Sequence, residues 1–219
     1  MEVAIVTGGS RGIGAATSVE LALKGYRVLI SFRERRREAE EVLQRIREIG
    51  GEGEIYQGDI SDPEVVRGLV ERALSLGDLT VVVNNAGVYH PRSLPALPPS
   101  LIKDTVLTNL LGPLLLMREA LNAMKRGVIV NISSVVGVSP TPGMSAYSVT
   151  KNAIIVATKV VAGEVEGDVR IVCVAPGPTD TEMLRRYHPY MPADPPEKVA
   201  ERILWAIEHG KNGRCYTVG

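Results

Sequence analysis

Short apolar runs alternate with segments of helical periodicity along the whole chain. Such alternation predicts a parallel sheet with helices on both faces. Several runs are continuously apolar, for example residues 81–83, as is typical of strands that are buried on both faces. The predicted strands are Val3–Thr7, Arg27–Phe32, Gly53–Gln57, Leu79–Asn84, Gly127–Ser133, Val169–Ala175 and Cys215–Val218. The predicted helices are Gly12–Lys24, Arg35–Gly50, Pro63–Leu76, Ser100–Met124, Ser145–Glu166 and Pro196–Glu208.

These elements predict an α/β fold, a doubly wound parallel sheet in one domain over residues 1–219. Two proline-rich stretches, Tyr89–Ser100 and Pro189–Pro196, interrupt the pattern after the fourth and sixth strands. We expect both to be loops at the carboxyl edge of the sheet, where open α/β folds bind ligands. A short substrate loop is therefore expected near residues 181–196.

Composition argues against several other classes of protein. The chain has 25 basic and 25 acidic residues, so it lacks the positive charge of a nucleic-acid binder. No apolar run reaches the length of a membrane span, and a strand-like run begins almost at once, which leaves no room for a signal peptide. Cys173 and Cys215 lack the spacing of metal ligands and are expected to be free thiols, with no metal site. We therefore expect a cytoplasmic protein.

A glycine-rich turn follows the first strand directly. Gly8, Gly12 and Gly14 have the spacing G-x-x-x-G-x-G, and Ser10, Arg11 and Ile13 stand between them. Glycine permits a positive φ and lets the backbone approach a pyrophosphate closely. The helix that follows offers free N–H groups and the positive end of its dipole. The pattern favours a dinucleotide site, although a merely structural turn has the same composition.

The residues after the second strand indicate which dinucleotide binds. An NAD site places a carboxylate there for the ribose hydroxyl, whereas an NADP site places arginine for the 2′-phosphate. Phe32 occupies the carboxylate position, and Arg33 with Arg11 could clamp the phosphate. NADP(H) is therefore favoured. NAD(H) stays possible, because a shift of one residue would make Glu34 the ribose ligand. Residues 35–37 are expected to form a solvated basic face.

Tyr147 and Lys151 are four residues apart in a predicted helix, so they share one face. A lysine ammonium favours the phenolate and should lower the pKa of the tyrosine towards neutrality. A tyrosine tuned in this way can act as a general acid and base. Such a pair is common on protein surfaces, and its interpretation depends on neighbouring motifs. Ser134 ends the fifth strand, and Asn109 interrupts an apolar helix, where a buried amide needs partners.

With these motifs the sequence resembles the short-chain dehydrogenase/reductase family, along nearly its whole length. It is most similar to the 3-oxoacyl-carrier-protein reductase-like group. The family's motifs occur in its order: TGGSRGIG at 7–14, GD at 58–59, NNAG at 84–87, a helical asparagine at 109, ISS at 132–134, YSVTK at 147–151 and PGPTDT at 176–181. The resemblance implies a Rossmann fold and an oxidoreductase. The chain is shorter than a usual member, which leaves the substrate lid after Thr181 uncertain.

The resemblance also implies roles for individual residues. Tyr147 is the general acid in reduction and the base in oxidation, and Lys151 binds the nicotinamide ribose. Ser134 orients the substrate, because its offset from Tyr147 matches the family's serine better than that of Ser133 does. Asn109 holds a water that links Lys151 to solvent. The remaining implied cofactor contacts are Asp59, Ile60, Asn85, Ala86, Gly87, Pro176, Gly177, Thr179 and Thr181.

The expected function is hydride transfer between NADP(H) and a carbonyl or alcohol. The alternative is a catalytically silent NADP(H)-binding sensor or structural subunit, which would not need the catalytic residues. The expected partners are a small carbonyl or alcohol substrate and further copies of the chain, as a homodimer or homotetramer, with no nucleic acid and no membrane. Residues expected to face the substrate are Tyr89, Val135, Val136, Met144, Met183, Leu184, Tyr187 and Tyr190. Two arginines, Arg185 and Arg186, could face a carboxylate or an acidic carrier protein.

Overall fold

The computed structural model describes residues 1–218. Within them, seven parallel strands form one sheet. The strands are β1 (Glu2–Thr7), β2 (Arg27–Phe32), β3 (Gly53–Gln57), β4 (Asp78–Asn84), β5 (Arg126–Ile132), β6 (Asp168–Pro176) and β7 (Cys215–Val218). Their order across the sheet is β3-β2-β1-β4-β5-β6-β7. Strands β1 and β4 are neighbours although two strands separate them in sequence, so the strand order reverses between them. This reversal opens a crevice at their carboxyl ends.

The helices are α1 (Gly12–Leu23), α2 (Arg36–Glu48), α3 (Pro63–Leu76), α4 (Pro99–Val106), α5 (Gly112–Ala123), α6 (Val135–Val138), α7 (Ser145–Glu164), α8 (Glu182–Arg185) and α9 (Pro196–His209). Every predicted helical segment is helical, with ends shifted by at most two residues. The short helices α6 and α8 and the 3-10 turn Leu94–Ala96 were not predicted. Each is about one turn long, which is too short to produce a periodic pattern.

Two hydrophobic clusters cover the two faces of the sheet, because successive strand residues point to opposite sides. In β1, Val6 belongs to the cluster that holds residues of α1, α2 and α9. Its neighbour Ile5 belongs to the cluster that holds residues of α3, α5 and α7. The predicted fold class, a doubly wound parallel sheet with helices on both faces, is thereby confirmed.

The predicted helix Ser100–Met124 is not a continuous α-helix. It is α4 and α5 joined by a π-helical turn, Leu107–Leu111, which contains Asn109. The segment Pro99–Ala123 is long and apolar enough to cross a membrane by length and composition, since an 18-residue stretch of it has a mean hydropathy of 1.2. Leu116, Met117 and Ala120 are buried in the core cluster beside α3, however, so the segment packs as a core helix.

Candidate active site

One cleft of about 540 Å³ lies at the carboxyl ends of the central strands. It brings together nearly all residues singled out by the sequence, which come from the loops after β1 to β6. Those that line it are Gly8, Ser10, Arg11, Gly12, Ile13, Arg33, Asp59, Ile60, Asn85, Ala86, Gly87, Ser134, Tyr147, Lys151, Pro176, Gly177, Thr179 and Thr181. Gly14 and Asn109 lie behind its walls.

The glycine loop forms a cradle at one end of the cleft. Gly8 and Gly12 have positive φ values of 61° and 54°, which other residues rarely adopt. A Cβ on Gly12 would lie 3.0 Å from the Thr181 side chain, so any side chain there would fill the space between them. Helix α1 begins at Gly12, and within residues 1–218 its N-cap residue Arg11 makes no side-chain capping bond. The first-turn N–H groups are therefore available to an anion.

Gly14 supports this loop from behind instead of facing the cleft. A Cβ at Gly14 would lie 2.3 Å from the Gly8 carbonyl oxygen and 2.5 Å from Nδ2 of Asn85. That amide donates to the carbonyl oxygens of Thr7 at 2.9 Å and Gly8 at 3.2 Å. Asn85 thus ties the loop after β4 to the loop after β1. The missing side chain of Gly14 lets the helix pack closely on the strand, the role of the third glycine in dinucleotide motifs.

Arginines concentrate at the end of the cleft beside the cradle. Arg33 lies 3.2 Å from Glu34 and 3.5 Å from both Asp59 and Asp104. Its guanidinium is only half-exposed, so it is held among three carboxylates at the cleft wall. A phosphate dianion would compete with these carboxylates for the same donors.

Two further arginines near the glycine loop, Arg11 and Arg35, bind the carboxylate of Glu182 in α8. It accepts hydrogen bonds from Arg11 at 2.7 Å and from Arg35 at 3.1 Å. The expectation that residues 35–37 form a solvated face holds, since Arg35, Arg36 and Arg37 are exposed and pair with Glu38, Glu40 and Glu41 one helical turn away. Arg35 lines the cleft as well. The short loop between β2 and α2 turns Arg35 back towards the cleft.

Asp59 and Ile60 line the neighbouring part of the cleft. Burial of Asp59 opposes its ionisation, but hydrogen bonds from the Ser61 amide and hydroxyl and from Arg33 lower its pKa overall. The Ser61 bonds are 2.9 and 2.8 Å long. Ile60 is buried against Gly112, where a Cβ would lie 2.6 Å from the isoleucine side chain. Both residues are thus fixed before any ligand binds.

Asn109 is buried at the π-helical turn, where it fixes the backbone beside the cleft. Its Oδ1 accepts from the Val88 amide at 2.8 Å, and its Nδ2 donates to the Val88 carbonyl at 2.9 Å. Gly87 lies directly in front of it. A Cβ on Gly87 would lie 3.3 Å from Asn109 Oδ1 and 3.5 Å from Lys151 Nζ. Asn109 is thus a satisfied core amide, and its water link to Lys151 stays a prediction.

Tyr147, Lys151 and Ser134 converge in the same cleft. Tyr147 and Lys151 share one face of α7, and Lys151 Nζ lies 5.7 Å from the Tyr147 ring centroid. The ammonium is buried and donates to the Ile132 carbonyl at 2.8 Å. Ser133 uses its hydroxyl to hold the Lys151 carbonyl at 2.6 Å. Besides its hydrogen bond with Tyr147, Ser134 makes long bonds of 3.4 Å to the Pro176 carbonyl and from the Val136 amide, and it is the more available of the two serines.

The pKa of Tyr147 differs from the lowered value that the sequence predicts. Burial raises the pKa of Tyr147 to about 12, although hydrogen bonding by Ser134 opposes the rise. Burial also lowers the pKa of Lys151 to about 8. The lowered pKa predicted for Tyr147 is therefore wrong for the protein without cofactor. Removal from water penalises the phenolate more than an ammonium at this distance favours it.

The wall beyond Tyr147 is mostly apolar. Of the residues expected to face the substrate, those that line the cleft are Tyr89, Val135, Val136, Met144, Met183 and Leu184. Tyr187 and Tyr190 do not: Tyr187 packs edge-on against Tyr89, at 5.6 Å between ring centroids, and Tyr190 is 96 % exposed. Arg185 also points elsewhere, because it binds Asp180 at 2.7 Å and two loop carbonyls.

Several lining residues escaped the sequence analysis. His188 hydrogen-bonds the Tyr89 hydroxyl at 3.0 Å, and Tyr89 packs against Tyr147 at 4.9 Å between ring centroids. His90 bonds Asp104, the carboxylate beside Arg33, at 3.1 Å. Met191 lies on the loop side of the wall, together with Arg186, which the sequence analysis named as a possible contact of a carboxylate. His90, His188 and Met191 lie outside any motif, and only their position in or next to the two proline-rich stretches could have indicated them.

Comparison with known proteins agrees with this arrangement. The family model described as "short chain dehydrogenase" matches residues 2–191. A 3-oxoacyl-[acyl-carrier-protein] reductase of Staphylococcus aureus is 35% identical over 179 residues, which are 80% of this chain and 73% of the relative. An NADPH-dependent aldehyde reductase-like protein of Arabidopsis thaliana, described as chloroplastic, is 35% identical over 199 residues, which are 83% of this chain and 73% of the relative.

Among solved structures, a short chain dehydrogenase from Burkholderia cenocepacia in complex with NADP superposes with a TM-score of 0.91 at 30% sequence identity. The match covers 99% of this chain and 96% of that one. Fold, motif order and sequence identity therefore agree over nearly the whole length. The chain belongs to the short chain dehydrogenase family of oxidoreductases.

Proposed function

We propose that the protein is an NADP(H)-dependent oxidoreductase that interconverts a carbonyl compound and its alcohol, with Tyr147 as general acid and base. One observation carries the proposal. The glycine cradle with its arginines and the Tyr147–Lys151–Ser134 group line one and the same cleft. A dinucleotide whose phosphates bind at the cradle would therefore share this cleft with the catalytic group.

The residues present fit such a cofactor. The side-chain-free surface at Gly8 and Gly12 and the first turn of α1 suit a pyrophosphate. Arg11 and Arg33 suit a 2′-phosphate, which supports NADP(H) over NAD(H). The names of two similar proteins, one in complex with NADP and one NADPH-dependent, point the same way. Glu34 also lines the cleft, so NAD(H) stays the alternative.

When bound, the cofactor supplies the hydride in reduction and accepts it in oxidation. Tyr147 donates the proton in reduction and accepts it in oxidation. Its raised pKa keeps the phenol protonated at neutral pH, so it can donate to a carbonyl oxygen as that oxygen gains negative charge. Ser134, whose bonds to the backbone are long, can donate to the same oxygen and hold it in place.

Lys151 supports the reverse direction, in which Tyr147 must accept a proton. The ammonium is fixed by Ile132 and is predominantly protonated at pH 7, since its pKa is about 8. Its positive charge beside the phenol would favour the phenolate that this direction requires.

The experiment is NADPH oxidation by the purified protein against a panel of small aldehydes, diketones and quinones. The proposal expects turnover with at least one carbonyl compound and a higher kcat/KM for NADPH than for NADH. The catalytically silent sensor would bind NADPH without turnover of any panel member, and this result would overturn the enzyme proposal. The cytoplasmic location and the single-domain organisation stay predictions from sequence.

A further inference from the structure

The two cysteines lie side by side although 42 residues separate them in sequence. Cys173 in β6 and Cys215 in β7 are register partners on neighbouring parallel strands. Their Sγ atoms are 2.8 Å apart, closer than ordinary contact between two unbonded sulfur atoms. Both are free thiols. The sheet register thus forms a thiol pair that neither cysteine's sequence context indicates.

The backbone around the pair suits a covalent link. Neighbouring strands lie about 4.8 Å apart, which is within the roughly 4.4–6.8 Å between Cα atoms that a disulfide bridges. Because register partners in a sheet project to the same face, the two Sγ atoms already point at each other. Bond formation would need only a small movement of the side chains.

The two thiols differ in exposure and reactivity. Cys173 is fully buried, whereas Cys215 on the edge strand β7 is partly exposed. The hydrogen bond with Cys173 and the nearby Lys159 ammonium lower the pKa of Cys215, against the effect of burial. Burial and the same contact raise the pKa of Cys173. The thiol that solvent reaches is therefore also the better nucleophile.

We propose that Cys215 and Cys173 form a two-thiol oxidation site for hydroperoxides. The Cys215 thiolate attacks one peroxide oxygen, the O–O bond breaks, and the leaving oxygen takes up a proton as water or an alcohol. Cys173 sulfur then attacks the Cys215 sulfenic acid, the S–O bond breaks, and hydroxide leaves with the Cys173 proton as water. The two thiols lose two electrons to the peroxide, and a disulfide joins β6 to β7.

The pair lies outside the cleft of the proposed hydride-transfer chemistry, although Cys173 is close enough to Lys151 for its charge to affect the pKa of the lysine. Neither cysteine lines the cleft, and neither belongs to the proposed catalytic group. The proposed oxidation can therefore be tested without knowledge of the substrate or cofactor of the enzyme. Its direct consequence is mechanical, because the link would fasten the edge strand β7 to the interior of the sheet.

The test is treatment of the reduced, full-length protein with hydrogen peroxide, followed by thiol counting and intact mass measurement after denaturation. The proposal expects loss of both thiols, a mass decrease of two hydrogen atoms and complete reversal by dithiothreitol. The oxidised protein should also unfold at a Tm higher by on the order of 5 °C or more, since the link closes a long loop.

Two variants separate the roles of the thiols. Cys173→Ala should stop at a Cys215 sulfenic acid that dimedone traps, whereas Cys215→Ala should leave Cys173 unreacted because it is buried. Wild-type protein that keeps both thiols, oxidises Cys215 to the sulfinic acid while Cys173 stays free, or links cysteines of two chains would overturn the proposal.

Discussion

Arg33 is the single residue on which cofactor choice depends most. Its guanidinium is held by Glu34, Asp59 and Asp104 at the cleft wall, and a 2′-phosphate would offer it a stronger partner. We expect Arg33→Ala to weaken NADPH binding by about 1.5–3 kcal/mol, roughly ten- to a hundredfold. NADH binding should change far less. Arg33→Asp should shift the preference towards NADH, which kcat/KM values for both cofactors would measure.

Arg36→Ala is the matched control for that experiment. Arg36 pairs with Glu40 on the solvated face of α2, whereas Arg35 lines the cleft and is unsuitable. If Arg36→Ala matches the effect of Arg33→Asp, or if the wild type prefers NADH, Arg33 does not bind the 2′-phosphate. Glu34 then becomes the candidate ribose ligand.

Lys151 should make stability depend on pH. Its pKa is 10.5 in its ordinary state and about 8 in the fold, so between these values only the unfolded chain binds the proton. Stability from this group therefore rises with pH across that window. From pH 7 to 9.5, the unfolding free energy of the wild type should gain about 2 kcal/mol relative to Lys151→Met, by denaturant titration. A constant difference would show that the lysine is not desolvated.

The motif residues could be predicted from the sequence because the chemistry of such a site requires particular residue types at a fixed spacing. The pKa of Tyr147 could not, since it depends on how much water the folded cleft excludes. The same holds for Arg35 and His188, whose places follow from loop geometry and leave no periodic signal. The contact between Cys173 and Cys215 required the register of β6 and β7.

At the scale of elements, the packing of α1 on β1 depends on Gly14. A Cβ there would collide with the Gly8 carbonyl, whereas one on Gly163 of α7 meets nothing within 4 Å. We expect Gly14→Ala to destabilise the fold by about 1–3 kcal/mol through overpacking. Gly163→Ala, the matched helix control, should be stabilising by up to about 1 kcal/mol. Denaturant midpoints would compare them, and equal effects would contradict this account of the loop.

Helix α7 presents an uncovered apolar face. Val149, Val156 and Val160 are 67, 51 and 51% exposed and lie on one side of the helix. We propose that this face pairs with a second copy, as the sequence analysis expected of a homodimer or homotetramer. Val156→Glu should then yield monomers in sedimentation at micromolar concentration, while Leu74→Glu on α3 should not. A monomeric wild type would contradict the proposal.

At the scale of the whole molecule, alternating apolar runs were enough to predict the sheet, because its five inner strands are buried along most of their length. Helix ends and the π-helical turn at Asn109 were beyond that reasoning. In this turn Asn109 bonds to Val88, 21 residues away in sequence, and no local pattern records such a contact. The cleft itself follows from the strand order, since the reversal between β1 and β4 leaves their carboxyl ends open.

The central claim is that this cleft transfers a hydride with Tyr147 as proton donor. The most direct measurement compares wild type and Tyr147→Phe in NADPH-dependent reduction of the best carbonyl substrate, with NADPH Kd values measured alongside. Phe keeps the ring but removes the hydroxyl. We expect kcat to fall by roughly 10²–10⁴, with Kd nearly unchanged. Turnover at the wild-type rate in Tyr147→Phe would contradict the mechanism.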